Sequence, residues 1–131
     1  KTKSKSLNGD RVIAATQTMF EDVQELLPFV DILISDYSGI WIDYLLLDRP
    51  LIFVPYDLED YERIPGLLYN YHQITPGPMV STNKEFIEAM QAYIQNPRKD
   101  SEKRACVRRM FHEFNDGLSY KRIYELIQKS R

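Results

Sequence analysis

At 131 residues the chain has room for one ordinary domain and not for two. With 44% hydrophobic and 27% charged residues it has enough apolar material for a core without disulfide or metal staples, which argues against disorder and coiled coil. Seventeen Lys and Arg against nineteen Asp and Glu give a net charge of −2, and from Phe20 to Glu62 eleven acids face Arg49 alone, a field that repels nucleic acid.

Residues 1–10 are polar and lack apolar periodicity, so they read as a flexible N-terminal segment, with a single folded domain expected over 11–131. Val12-Ile13-Ala14-Ala15 predicts a short buried strand. Val23, Leu26, Leu27 and Val30 recur at helical spacing and predict a helix over Glu21 to Val30, with Pro28 awkward near its end. Ile32-Leu33-Ile34 and Leu51-Ile52-Phe53-Val54 read as further strands, joined through a helix within Ile40 to Leu47. Their continuous rather than alternating apolar character suits strands covered on both faces. The fold class expected is therefore α/β, a doubly wound, Rossmann-like parallel sheet.

Tyr56 to Pro78 contains Pro65, Gly66, Pro76 and Gly77 and reads as a long connection holding one short element. Phe86, Ile87, Met90, Tyr93 and Ile94 then mark an amphipathic helix beginning near Asn83. Val107, Met110, Phe111 and Phe114 mark a second, and Ile123, Leu126 and Ile127 a third after the break at Asp116-Gly117. The basic residues between Arg98 and Arg109 are expected on a solvated helix face. His72 and His112 are expected to be exposed, and Cys106 to be a small core or semi-exposed thiol.

Chemistry concentrates in the run from Asp31 to Leu47. A strand ends near Ile34, a turn rich in hydroxyls and glycine follows, and a helix begins at Gly39 or Ile40. Amides at a helix start can bind phosphate oxygens without Lys or Arg. Ser38 suits either of two roles, capping the helix or donating to a phosphate, and Gly39 lets a ligand approach the main chain. Asp43 stands one turn further along a helix that is apolar nearly all round. It repels phosphate, so its role is to accept hydrogen bonds from ligand hydroxyls, or else to favour the helix dipole. Asp36 is expected to shape the turn through side-chain-to-backbone bonds, and no metal-ligand spacing occurs.

The run Asp31-Ile-Leu-Ile-Ser-Asp-Tyr-Ser-Gly-Ile-Trp-Ile-Asp-Tyr44, the segment Leu46-Leu-Asp-Arg-Pro-Leu-Ile-Phe53, Tyr56-Asp-Leu-Glu-Asp-Tyr61, Pro76-Gly77-Pro78 and Phe114-Asn-Asp-Gly-Leu-Ser-Tyr-Lys-Arg122 together resemble the CDP-glycerol glycerophosphotransferase family of teichoic-acid primases and polymerases. The resemblance implies the C-terminal, donor-binding half of a two-domain GT-B transferase. Such an enzyme moves glycerol or ribitol phosphate from a CDP-alcohol to a hydroxyl on a lipid-linked acceptor and releases CMP. The family's Ser-Ser pair falls on Ser38 and Gly39, and its helix carboxylate on Asp43. Ser35, Asp36, Tyr37, Ser119 and Arg122 are the supporting groups expected.

The family's histidine motifs match no residue here, so no catalytic residue is expected in this chain and the expectation is binding without turnover. The resemblance further implies no cofactor beyond the CDP-alcohol substrate, an N-terminal acceptor domain as partner, no nucleic acid, and a cytoplasmic enzyme peripheral to the inner face of the membrane. Gly39 in place of the commoner second Ser and the divergent segment from Glu62 to Tyr71 leave the donor open. A UDP- or GDP-sugar glycosyltransferase domain and a non-catalytic interaction domain are the rival readings.

Overall fold

The computed structural model describes residues 11–16, 18–64 and 66–130. The chain divides into two compact units, one ending at Val30 and one beginning at Asp31. The predicted flexible segment, residues 1–10, lies outside the described residues.

The first unit departs from expectation. Residues 13–16 are irregular and exposed, and Val12 makes only an isolated bridge, so the predicted strand over Val12 to Ala15 is absent; four apolar residues in a row do not hold a strand without a covered face. The predicted helix over Glu21 to Val30 is instead two 3₁₀ turns, Val23–Glu25 and Leu27–Phe29. Asp22 caps the first, accepting from the Gln24 amide at 2.8 Å. Pro28, without an N–H and with a ring that collides with the carbonyl four residues back, stops the helical ladder and is tolerated in the first turn of the second.

The second unit is mixed α/β. Strands β1 (Leu33–Ser35) and β2 (Leu51–Phe53) pair in parallel with Leu33 opposite Leu51 and Ser35 opposite Phe53. Phe53 makes a further parallel bridge to Met79 on its other edge. Strand β2 is buried throughout, as its unbroken apolar run requires, whereas β1 leaves Ile34 46% exposed. Among the described residues the α-helices of this unit are, in chain order, α1 (Ile40–Tyr44) between the two strands and then α2 (Leu58–Arg63), α3 (Tyr71–Ile74), α4 (Asn83–Gln95), α5 (Ser101–Phe111) and α6 (Ser119–Lys129). The long connection thus holds two short helices rather than one element.

Thr82 and Glu85 form a reciprocal capping box that starts α4 where predicted. The face of α4 carrying Phe86, Ala89, Met90 and Tyr93 packs with Ile52 and Val80 into the core around β2. Helix α5 ends at Phe111, so Phe114 falls beyond it. Helix α6 has no buried residue, and Tyr120, Ile123, Tyr124 and Leu126 are all exposed. No described helix is long and apolar enough to cross a membrane.

Gly77 allows one close approach. A Cβ there would lie 2.0 Å from the Leu51 carbonyl oxygen, so only glycine lets the Pro76-Gly77-Pro78 segment pass beside β2 and bring Met79 into register.

Candidate donor site

The turn between β1 and α1 is pinned from within. Asp36 Oδ1 accepts from the Ser38 amide at 3.0 Å, an Asx-type bond that sets the bend as the sequence predicts. Gly39 is the N-cap residue of α1 with φ −67°, and no side chain caps the helix, so the Ser38 hydroxyl is not used as a cap. The first amides of a helix have no intrahelical acceptor, and the N-cap residue, a glycine, has no side chain to supply one. A Cβ at Gly39 would meet nothing within 4 Å, which makes this corner open to solvent. Because α1 proper has only five residues, its dipole is short, and local N–H donors outweigh any macrodipole contribution.

Helix α1 is held by its opposite face. Trp41 and Tyr44 are buried, and the Trp41 ring meets Phe53 and Phe111 edge-on at 5.6 and 5.7 Å. Burial pushes the Tyr44 phenol up to about 12. The helix runs into a 3₁₀ turn, Leu45–Leu47, and stops at Asp48, whose φ of 49° is left-handed. Asp43 sits half-buried one turn beyond Gly39.

An open cleft of about 460 Å³ lies at the bend, lined by Ile34, Ser35, Asp36, Ser38, Ile40, Val54 and Tyr56. It brings together Ser35, Asp36 and Ser38 of the predicted set, with Gly39 adjoining in the chain; Asp43 is not in its lining. Tyr37 turns instead into an aromatic cluster. Its ring stacks on Tyr61 at 4.0 Å and 16°, and its hydroxyl accepts from the Asp57 amide at 3.2 Å. Burial, with Asp57 beside it, pushes the Tyr37 phenol up to about 12. Tyr71 is buried and donates its hydroxyl to the Asp36 carbonyl, tying α3 to the bend, and burial raises its phenol further still.

Arg122 and Ser119 lie on α6. Arg122 is engaged by both carboxylate oxygens of Asp116 and lies 3.8 Å over the Phe114 ring; Ser119 is exposed in the first turn. Hydrogen bonds from Arg122 first, then from the Leu118 amide, hold the Asp116 carboxyl down at about 2.

Three features escape a reading by local spacing. Arg104, expected on a solvated face, is 1% exposed, with Nε 3.0 Å from Asp48 Oδ1 and its other nitrogens donating to the carbonyls of Asp48, Lys99 and Pro97. His112, also expected to be exposed, is half-buried with Nε2 2.8 Å from the Ile42 carbonyl oxygen, which joins the end of α5 to the site helix. Tyr71 sits in a loop-rich stretch with no apolar period to mark it. His72 and Cys106 are exposed. Among the described residues no cluster of three or more His, Cys, Asp or Glu could hold a metal ion.

Residues 2–129 match the family described as CDP-Glycerol:Poly(glycerophosphate) glycerophosphotransferase. The chain belongs to that family. It is 39% identical over 72 residues to a teichoic acid poly(ribitol-phosphate) polymerase of Bacillus spizizenii, covering 55% of this chain and 12% of the relative. It is 32% identical over 111 residues to a teichoic acid glycerol-phosphate transferase of Staphylococcus aureus, covering 84% of this chain and 28% of the relative. Among solved structures, the wall teichoic acid polymerase TagF superposes with a TM-score of 0.70 at 28% identity, over 88% of this chain and 28% of that one. A TagF variant soaked with CDPG gives the same TM-score. As a family member, the chain spans about an eighth to just over a quarter of the length of these two curated relatives.

Proposed function

We propose that this chain is the donor-binding part of a longer glycerophosphotransferase. The enzyme moves glycerol or ribitol phosphate from a CDP-alcohol to a hydroxyl of a lipid-linked acceptor during synthesis of a teichoic-acid-like polymer. The observation that carries the reading is the Asp36-pinned bend, which presents Ser38 at an open cleft, with Gly39 next to it in the chain, in a member of a CDP-glycerol family.

In this reaction an acceptor oxygen forms a bond to the donor's β-phosphorus. The bond from that phosphorus to the bridging oxygen breaks, and CMP leaves with the bridging oxygen. Negative charge grows on the oxygens around the transferring phosphorus and on the leaving phosphate. Oriented N–H and O–H donors stabilise that charge more than the ground state, because they need not reorganise. The Gly39 and Ile40 amides and the Ser38 hydroxyl are the donors assigned here, with Ser35 and Asp36 shaping the wall. Asp43 is assigned the hydroxyls of the transferred alcohol, which a carboxylate accepts well and a phosphate-binding group does not. Tyr37 holds the bend through Tyr61. Arg122 and Ser119 would assist only if Arg122 exchanged Asp116 for the ligand.

The rest of the reading follows from the family. The domain is the Rossmann-like C-terminal half of a GT-B arrangement, its partner is an N-terminal acceptor domain, and the full-length enzyme works at the inner face of the membrane, where a lipid-linked acceptor would be presented. No cofactor is needed beyond the CDP-alcohol. The acid–base groups belong to the partner domain, so the 131 residues bind donor without turning it over. Calorimetry with CDP-glycerol, CDP-ribitol and UDP-sugars tests the assignment. Saturable binding of a CDP-alcohol supports it, and a preference for UDP-sugars, or CMP release by the isolated chain, overturns it.

A further inference from the structure

Four tyrosines meet beside the bend, and three are committed. Tyr71 is buried and bonded to the Asp36 carbonyl, and Tyr37 and Tyr61 stack on each other. Tyr56 differs. It is 77% exposed, meets Tyr37 only at a tilt of 54° and 6.4 Å, and lines the cleft beside Ser35, Asp36 and Ser38. Its backbone is nonetheless fixed directly after β2, since its amide donates to the Val54 carbonyl at 3.1 Å and the next amide, that of Asp57, donates to the Tyr37 hydroxyl.

We infer that Tyr56 is the platform on which the donor's nucleobase stacks, and so a specificity-determining residue of the cleft; this rests on the CDP-alcohol reading above. The cleft offers two kinds of surface. Ser38 and the open corner at Gly39 provide hydroxyl and amide donors, whereas Ile34, Ile40, Val54 and the ring of Tyr56 are apolar. Of the four parts of a CDP-alcohol, the diphosphate, the polyol and the puckered, hydroxylated ribose have no flat apolar face. Only the pyrimidine can use an exposed aromatic ring.

Charge gives the same orientation. Tyr56 also borders a second cavity of about 730 Å³ on which Asp57, Glu59, Asp60 and Glu62 converge. A diphosphate is repelled from that side and driven towards Ser38, while an uncharged base is not. Base–aromatic stacking is worth enough to matter, and the pre-anchored backbone at Tyr56 reduces the ordering cost of binding.

The test is calorimetry on the 131-residue chain with CDP-glycerol and, separately, inorganic pyrophosphate, for the unsubstituted chain and for Tyr56→Ala, Tyr56→Phe and Tyr56→Trp, with circular dichroism confirming that each folds. The expected result is a loss of roughly tenfold or more in CDP-glycerol affinity for Tyr56→Ala, with pyrophosphate binding unchanged. Tyr56→Phe and Tyr56→Trp should retain CDP-glycerol affinity within about threefold. Unchanged CDP-glycerol affinity in Tyr56→Ala, or an equal loss for pyrophosphate, overturns the inference while leaving the donor reading intact. Failure of the unsubstituted chain to bind CDP-glycerol removes the donor reading itself, and the inference with it.

Discussion

Arg104 Nε donates to Asp48 Oδ1 at 3.0 Å across 56 positions of sequence, and the same guanidinium donates to the carbonyls of Asp48, Lys99 and Pro97. Asp48 terminates the helical run that begins at the Ser38–Gly39 bend, so this contact staples the far end of the site helix to α5. Arg104→Met should cost about 3 kcal/mol or more in urea unfolding, because several buried acceptors lose their donor at once. Arg104→Lys should rescue little, since an ammonium lacks the planar fork. Asp48→Asn should cost less, about 1 kcal/mol, because Asn tolerates the left-handed φ of 49° and keeps an acceptor for Arg104, while the carboxylate it replaces is half exposed. Equal costs for both substitutions would contradict this division.

Gly77 beside β2 and Gly39 at the bend should respond differently to an added side chain. Gly77→Ala places a Cβ 2.0 Å from a backbone oxygen that cannot swing away, so a loss of about 3 kcal/mol or more is expected, with the Met79 bridge to Phe53 disturbed. At Gly39 there is open space and an ordinary φ, so Gly39→Ser should leave stability within about 0.5 kcal/mol. Thermal melts of the two variants check both expectations.

Asp36 and Ser38 separate fold from binding. Asp36→Ala removes the acceptor that pins the Ser38 amide and should cost about 1 kcal/mol while also weakening CDP-glycerol binding. The Ser38 hydroxyl caps nothing, so Ser38→Ala should leave the melting temperature almost unchanged and weaken only the ligand. A destabilised Ser38→Ala chain would show the hydroxyl to be a structural cap after all.

Stability should fall at alkaline pH. Burial raises Tyr44 to about 12, and burial with Asp57 nearby raises Tyr37 to about 12, whereas an unfolded tyrosine ionises near 10. A group whose folded pKa is raised contributes stability that is complete below the unfolded value and disappears as pH rises through the folded one. The loss should therefore run from about pH 10 to about 12. Phenolate absorbance recorded beside a series of melts would show it, and full ionisation of Tyr44 at pH 10 in the folded chain would contradict it.

Much of the site was legible because its determinants are local. An apolar run followed by Ser, Asp and Gly announced β1, the bend and the start of α1, and the Asp36-to-Ser38 bond follows from an acid three residues before the helix N-cap. The apolar period from Phe86 to Ile94 marked α4 in the same way, and the helix starts at Asn83 as that period predicts. Pro28 misled a reading by period, since one missing N–H and one ring overrode four apolar residues at helical spacing. Arg104 and His112 were illegible for a different reason. Their acceptors lie at Asp48 and Ile42, far away in sequence, and nothing in a basic helix distinguishes the side chain that turns inward. The role of Tyr56 likewise depends on which neighbouring tyrosines are already occupied, a property of the folded cluster alone.

The most direct measurement is a ¹H–¹⁵N NMR titration of the chain with CDP-glycerol. The account predicts saturable shifts centred on the Ser38, Gly39 and Ile40 amides, weakened by Asp43→Ala, with the Gly117 amide unmoved. Shifts centred elsewhere in the chain, or no response of Gly39 and Ile40 at saturating ligand, would contradict it.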